Sequence, residues 1–152
     1  MDIVIYVSLF FIAFAAATIL PLQSELVVIG LLDSGKQPWL AIVAVASIGN
    51  TLGSVVNWML GRSLLHFQTK RWFPASRDNL LRAENWYRRF GRGSLLLSWV
   101  PVMGDPLTII AGVLREPLWS FTLLVGIAKA GRYLALTALT LKFATSTVLN
   151  LN

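Results

Sequence analysis

Four charged residues stand in stretches that are otherwise hydrocarbon-like: Glu25 in the run ILPLQSELVV, Asp105 in VMGDP, and Lys129 and Arg132 inside the apolar segment 118–141. A charge near the middle of a lipid-embedded helix costs about 2.5–3.5 kcal/mol on insertion scales, and less where the group pairs, meets water or is neutralised. Lys129 lies roughly 16 Å into its segment, close to mid-membrane, at a helical rise of about 1.5 Å per residue. Arg132 follows three residues later and shares its face. Two cations at that depth need anionic company, and Glu25 and Asp105 are the available acids. Each acid lies at a break, with Pro21 before Glu25 and with Pro101, Gly104 and Pro106 around Asp105. Opened backbone and water can gather at such breaks. The four charged residues are therefore expected to share one central polar cavity. Cations among helix ends suit an anionic substrate such as a phosphate headgroup, and a desolvated carboxylate suits proton coupling.

Two other chemistries fit less well. The charges could be buried ion pairs that fix the helix arrangement. VMGDP resembles the Gly-Asp of intramembrane aspartyl proteases, and two acids sharing a proton can drive hydrolysis. Those enzymes place their aspartates on two separate spans and have more spans than this chain offers. The single histidine, His66, falls just past a membrane end beside Arg62, so neither a metal site nor an intramembrane serine–histidine pair is expected. With no cysteine, disulfides and thiolate sites are excluded. No catalytic residue, metal or cofactor is expected.

The elements that must position these charges follow from composition. Of 152 residues, 56% are hydrophobic and 13% charged, against about 25% charged in soluble domains. A soluble fold of this length could not hide that much apolar surface, so the expected solvent is lipid. The net charge of +6 does not point to nucleic acid, because eight of the thirteen Lys and Arg lie between Arg62 and Arg92. A basic segment between apolar spans is the mark of a cytoplasmic loop facing anionic headgroups. No Lys or Arg precedes the first apolar run, so that run is read as retained rather than as a cleaved signal.

A single all-α membrane domain over 1–152 is expected. Residues 3–33 form a first broken hairpin around PLQSE, since 26–32 is too short to cross about 30 Å of hydrocarbon. Residues 39–61 span, and 62–93 form a basic loop with an interfacial helix. Within that helix Leu80, Ala83, Tyr87 and Phe90 share a face, and Gly91 and Gly93 end it. Residues 94–116 form a second broken hairpin, and 118–141 a second span. The same order of short, break, short and long thus occurs twice, which predicts two re-entrant hairpins in inverted arrangement. Gly49, Gly53, Asn57 and Gly61 recur every four residues on one face of the first span and predict close helix packing. Asn50 and Asn57 are placed either at the cavity or in hydrogen bonds between helices.

The proline and glutamate of PLQSE, the stretch GNTLGSVVNWMLGR (49–62) and RFGRGSLLLSWVPVMGDPLTIIAGVL (89–114) together resemble the DedA family of bacterial inner-membrane proteins. This family is also called the SNARE-associated or VTT-domain family, and the likeness is to its short YqaA-like branch. The resemblance covers roughly residues 15–135. It implies two oppositely oriented re-entrant hairpins and transport of an anionic lipid, in several members undecaprenyl phosphate, dependent on proton-motive force. Glu25 matches the family's acid in the first broken segment, and Gly53, Gly61 and Arg62 match its pattern Gly-Asp-x-x-x-Tyr-x-x-Gly-Arg. Ser54 and Trp58 depart from that pattern, and the arginines that flank the family's second proline are absent beside Pro101. Lys129 and Arg132 are the cations placed to replace them. The expected partners are membrane lipids with an anionic phosphate headgroup, and self-association is expected where a chain this small must enclose a cavity.

Overall fold

A computed structural model of the chain describes residues 2–18, 23–63, 77–100 and 104–149, all but the joints between them helical. In chain order these are α1 (Asp2–Thr18), α2 (Gln23–Asp33), α3 (Trp39–Ser63), α4 (Arg77–Phe90), a 3-10 helix (Gly91–Trp99), α5 (Gly104–Val113) and α6 (Leu118–Leu149). Pro21, Pro101 and residues 64–76 of the expected basic loop, His66 among them, lie outside the described residues. Among the described residues two helices are long and apolar enough to cross a membrane, Trp39–Ser63 and the Leu118–Phe143 part of α6. Their boundaries agree with the expected spans except that α6 continues to Leu149, eight residues past the expected end at 141.

The two acids of the sequence reading occupy corresponding places. Glu25 lies in the first turn of α2 and Asp105 in the first turn of α5. A carboxylate there faces the unpaired N–H groups and positive end of the helix dipole, worth about 0.3–1 kcal/mol. Gly104, Asp105 and Pro106 therefore begin a helix, where the sequence alone suggested an interruption. Pro106 fits because first-turn N–H groups have no intrahelical acceptor to lose. The stretch before it is a nine-residue 3-10 helix, longer than such helices usually run.

Helix α3 is the centre of the assembly, packed against α1, α5 and α6. Its glycines permit this. A Cβ on Gly49 would stand 2.6 Å from the Phe10 carbonyl of α1, and one on Gly53 would meet the Phe14 carbonyl. Towards α5 the approach is reciprocal, with Gly61 against the Ile109 carbonyl and Gly112 against the Trp58 carbonyl. The stripe foreseen at four-residue spacing thus serves two neighbours, α1 and α5. Two apolar clusters fill the remaining space: Leu9, Ala13, Val28, Ile42 and Tyr133 in one, Trp58, Tyr87, Leu95, Leu107 and Phe121 in the other.

Helix α4 attaches through Ala83 and Tyr87, both buried, whereas Phe90 is exposed beside Trp86, with ring centroids 5.0 Å apart. The expected apolar face thus divides into an inner half that packs and an outer aromatic edge. Gly91 stops the helix with a φ of 61°, as foreseen. The docking centres on Glu116, in the corner between α5 and α6. Its carboxylate accepts the Tyr87 hydroxyl at 2.6 Å and pairs with Arg92 at 2.7 Å, and its carbonyl accepts the Trp58 indole N–H at 3.0 Å. The corner itself turns through Arg115, at a φ of 58°, with the Glu116 amide donating to Ala111. Burial, and then the hydrogen bond to the Glu116 carboxylate, push the Tyr87 phenol up from its ordinary range.

Three outcomes are expected. Gly112→Ala should lower the melting temperature in detergent markedly, since forcing a methyl into packed backbone costs about 1–3 kcal/mol. Gly30→Ala, where a Cβ meets nothing, should leave the melting temperature unchanged or raise it slightly. Because the folded state holds the Tyr87 proton more tightly than the unfolded chain, that contribution is complete below a pH of about 10 and is lost above it. Melting curves of the wild type should therefore fall more steeply above that pH than those of Tyr87→Phe.

Candidate functional site

The site is assembled on α6. Lys129 and Arg132, less than one turn apart, are buried, and each reaches a short helix. The Arg132 Nε donates to Glu25 Oε1 at 2.6 Å, and its Nη2 meets the same oxygen. The Lys129 ammonium stands 3.5 Å from Asp105 Oδ1. The cation side chains are 8% and 3% exposed, the acids 22% and 25%, so each pair is open on its carboxylate side. Arg132 is also within electrostatic reach of Asp105 and Lys129. A buried cation stripped of water is tolerable only with such a partner. The sequence reading named these two acids as company for the two cations without assigning partners, and Arg132 meets Glu25 across 107 positions.

Around the pairs runs a set of buried hydrogen bonds between helices. Tyr133, fully buried, donates to the Ser24 hydroxyl at 3.0 Å and accepts from the Asn50 amide at 3.1 Å. The Asn57 amide donates to the Ala17 carbonyl at 2.8 Å and to Thr108 Oγ1 at 3.3 Å, and Thr108 donates to the Asp105 carbonyl. Both asparagines therefore serve in bonds between helices, one of the two roles foreseen. The amide oxygens of Asn50 and Asn57 are buried with no donor among the described residues. Tyr133, Ser24 and Thr108 were not anticipated. Their signal was available, since Tyr133 and Ser24 each directly neighbour a site charge.

A partly open cavity of about 520 Å³ reaches one of the two pairs. Glu25 and Arg132 form its polar end. Trp99, Ile127, Leu136 and Leu139 supply apolar walls, and Ala128, Gly131 and Ala135 of α6 leave the room. The sequence reading placed all four charges in one polar cavity, and the cavity described takes in Glu25 and Arg132. Asp105 and Lys129 are not among its lining residues, although the Asp105 carboxylate is as open as that of Glu25. Arg62 is elsewhere, at the end of α3, with its guanidinium 5.1 Å from the centre of the Trp58 ring. Of the helix-break residues, Gly104 is packed on the Ser98 carbonyl and Pro106 is buried. Among the described residues no group of His, Asp or Glu could hold a metal ion.

An all-helical assembly with cations paired inside an apolar helix, beside a cavity with one charged end, is the site of a membrane protein. A family model described as the VTT domain matches residues 11–141, and the chain belongs to that family, the DedA family. It is 39% identical over 136 residues to the inner membrane protein YqaA of Escherichia coli K12, covering 89% of this chain and 90% of the relative, and equally similar to YqaA of Shigella flexneri. An uncharacterized protein of Haemophilus influenzae is 37% identical over 142 residues, covering 89% of this chain and 87% of the relative. No solved structure matches. None of these names carries a catalytic activity.

Tyr133→Phe removes one hydroxyl and leaves both Asn50 and Ser24 short of a partner. Its expected cost is about 1–3 kcal/mol, read as a lower melting temperature with insertion unchanged.

Proposed function

We propose that the chain is a membrane transporter that moves an anionic lipid, a polyprenyl phosphate or a phospholipid, across the bacterial inner membrane with proton coupling. The observation that carries this reading is the cavity that is apolar along its walls and charged at one end, where Arg132 meets Glu25. A lipid phosphate and the Glu25 carboxylate compete for the same guanidinium. Protonation of Glu25 frees Arg132 to bind phosphate through charge-assisted hydrogen bonds, and loss of that proton restores the pair and expels the lipid. One proton taken up at Glu25 then accompanies one anion bound. Lys129 and Asp105 keep a second charge pair beside the first, and the apolar walls accept the acyl or isoprenoid chain.

In this reading α1–α2 and the 3-10 helix–α5 unit are re-entrant hairpins entering from opposite faces of one membrane domain, and 62–93 is cytoplasmic. The placement of Glu25 and Asp105 in equivalent first turns supports it, as does the membership in the DedA family. A second reading is favoured by a specific observation: both acids already have cation partners, as fold-stabilising ion pairs would. A self-associated form is compatible with either reading.

Translocation of a labelled lipid phosphate in proteoliposomes, with and without a pH gradient, separates the two. Wild type is expected to show gradient-dependent flipping, and Glu25→Gln, at equal insertion and melting temperature, to lose it. No flipping by either protein, together with a destabilised Glu25→Gln, would establish the structural reading instead.

A further inference from the structure

A second cavity, of about 410 Å³, lies at the end of α3 against the start of α6 and shares no lining residue with the first. Trp58, Met59, Arg62 and Ser63 form one side of it, Pro117 and Leu118 the other. Among the described residues no acid lines it, and Arg62 and Ser63 supply its polar side. The guanidinium is laid over the indole of Trp58, and that ring is fixed from two directions. Its N–H is bonded to the Glu116 carbonyl, and Phe121 packs with its centroid 6.1 Å away. Arg62 is exposed, yet it rests on a rigid platform that orients its planar fork. Arg62 makes no ion pair with an acid among the described residues.

Depth and surroundings narrow what this cavity takes. At 25 residues, α3 is roughly 37 Å long, more than the ≈ 30 Å hydrocarbon core, so its last turn reaches the headgroup layer. The cavity lies roughly 21 Å along α6 from Arg132, at about 1.5 Å per residue. Beside the guanidinium and the Ser63 hydroxyl stand exposed Met59 and Leu118, at 56% and 46%. A ligand that fits both sides is anionic at one end and apolar at the other.

We propose that the Arg62–Trp58 corner is an interfacial binding site for the phosphate headgroup of a bilayer lipid, separate from the cavity at Glu25 and Arg132. The phosphate is held by the Arg62 fork and the Ser63 hydroxyl, and the lipid's glycerol and first methylenes lie along Met59, Pro117 and Leu118. This site does not require that any lipid be translocated. Lipid bound here bridges the ends of α3 and α6.

The test is native mass spectrometry of the full chain in detergent, titrated with phosphatidylglycerol and, separately, with neutral phosphatidylcholine. Wild type is expected to retain one phosphatidylglycerol selectively. Arg62→Gln should weaken that retention about tenfold, the worth of a hydrogen bond to a charged partner, and Arg62→Lys, which loses the flat fork, should weaken it less. Arg88→Gln, which removes an exposed arginine paired with Glu84, should leave it unchanged, and in Gly131→Leu, which fills the other cavity, the Arg62-dependent retention should persist. Retention unaffected by both Arg62 variants would overturn the proposal, as would loss with Gly131→Leu, which would place the lipid at Glu25 and Arg132. Displacement of the lipid by millimolar inorganic phosphate would show that the corner selects the free ion, which also contradicts a lipid site.

Discussion

The contact on which the rest of this structure depends is the bond from Arg132 to Glu25. Arg132 and Lys129 sit on an apolar helix where, unpaired, each would oppose insertion by several kcal/mol. The only way to keep them there is to bring acids to them. Glu25 and Asp105 arrive on short helices, each in the first turn, where unpaired backbone N–H groups already favour a negative charge. The length of α2 and α5, the breaks that precede them and the position of the cations on α6 are thus answers to one electrostatic demand.

The second constraint is steric. Short helices reach α6 only if α3 lets α1 and α5 approach to backbone contact, which its glycines allow. Close approach also brings polar side chains within reach across helices, so Asn50, Asn57, Tyr133 and Thr108 bond to one another and to backbone. Beside Glu25 and Arg132 the small residues Ala128, Gly131 and Ala135 of α6 leave room between larger apolar neighbours, and a cavity remains.

Much of this was legible in the sequence, and for physical reasons. Long apolar runs identify α3 and α6, and misplaced charges announce their own partners because lipid permits no others. The stripe of small residues on α3 was read as a packing face, and it is one. The start of α5 was harder, because Gly104 and Pro106 disfavour helix interiors yet are acceptable in a first turn. That Phe90 would turn outward could not be read from periodicity, since Tyr87 is drawn to Glu116, nearly thirty residues away. Arg62 was singled out only through its family motif, and the length of α3 carries it to the end of that helix, away from the central charges. Nothing in residue types alone shows which of the two pairs borders the cavity.

The most direct test of this account reverses the central pair. Glu25→Arg and Arg132→Glu should each leave like charges facing one another and yield protein that aggregates on extraction or melts well below wild type. The double reversal should recover a monodisperse protein with most of the wild-type melting temperature. Single variants as stable as wild type, or a double variant no better than either single one, would contradict the claim that this ion pair holds α2 to α6.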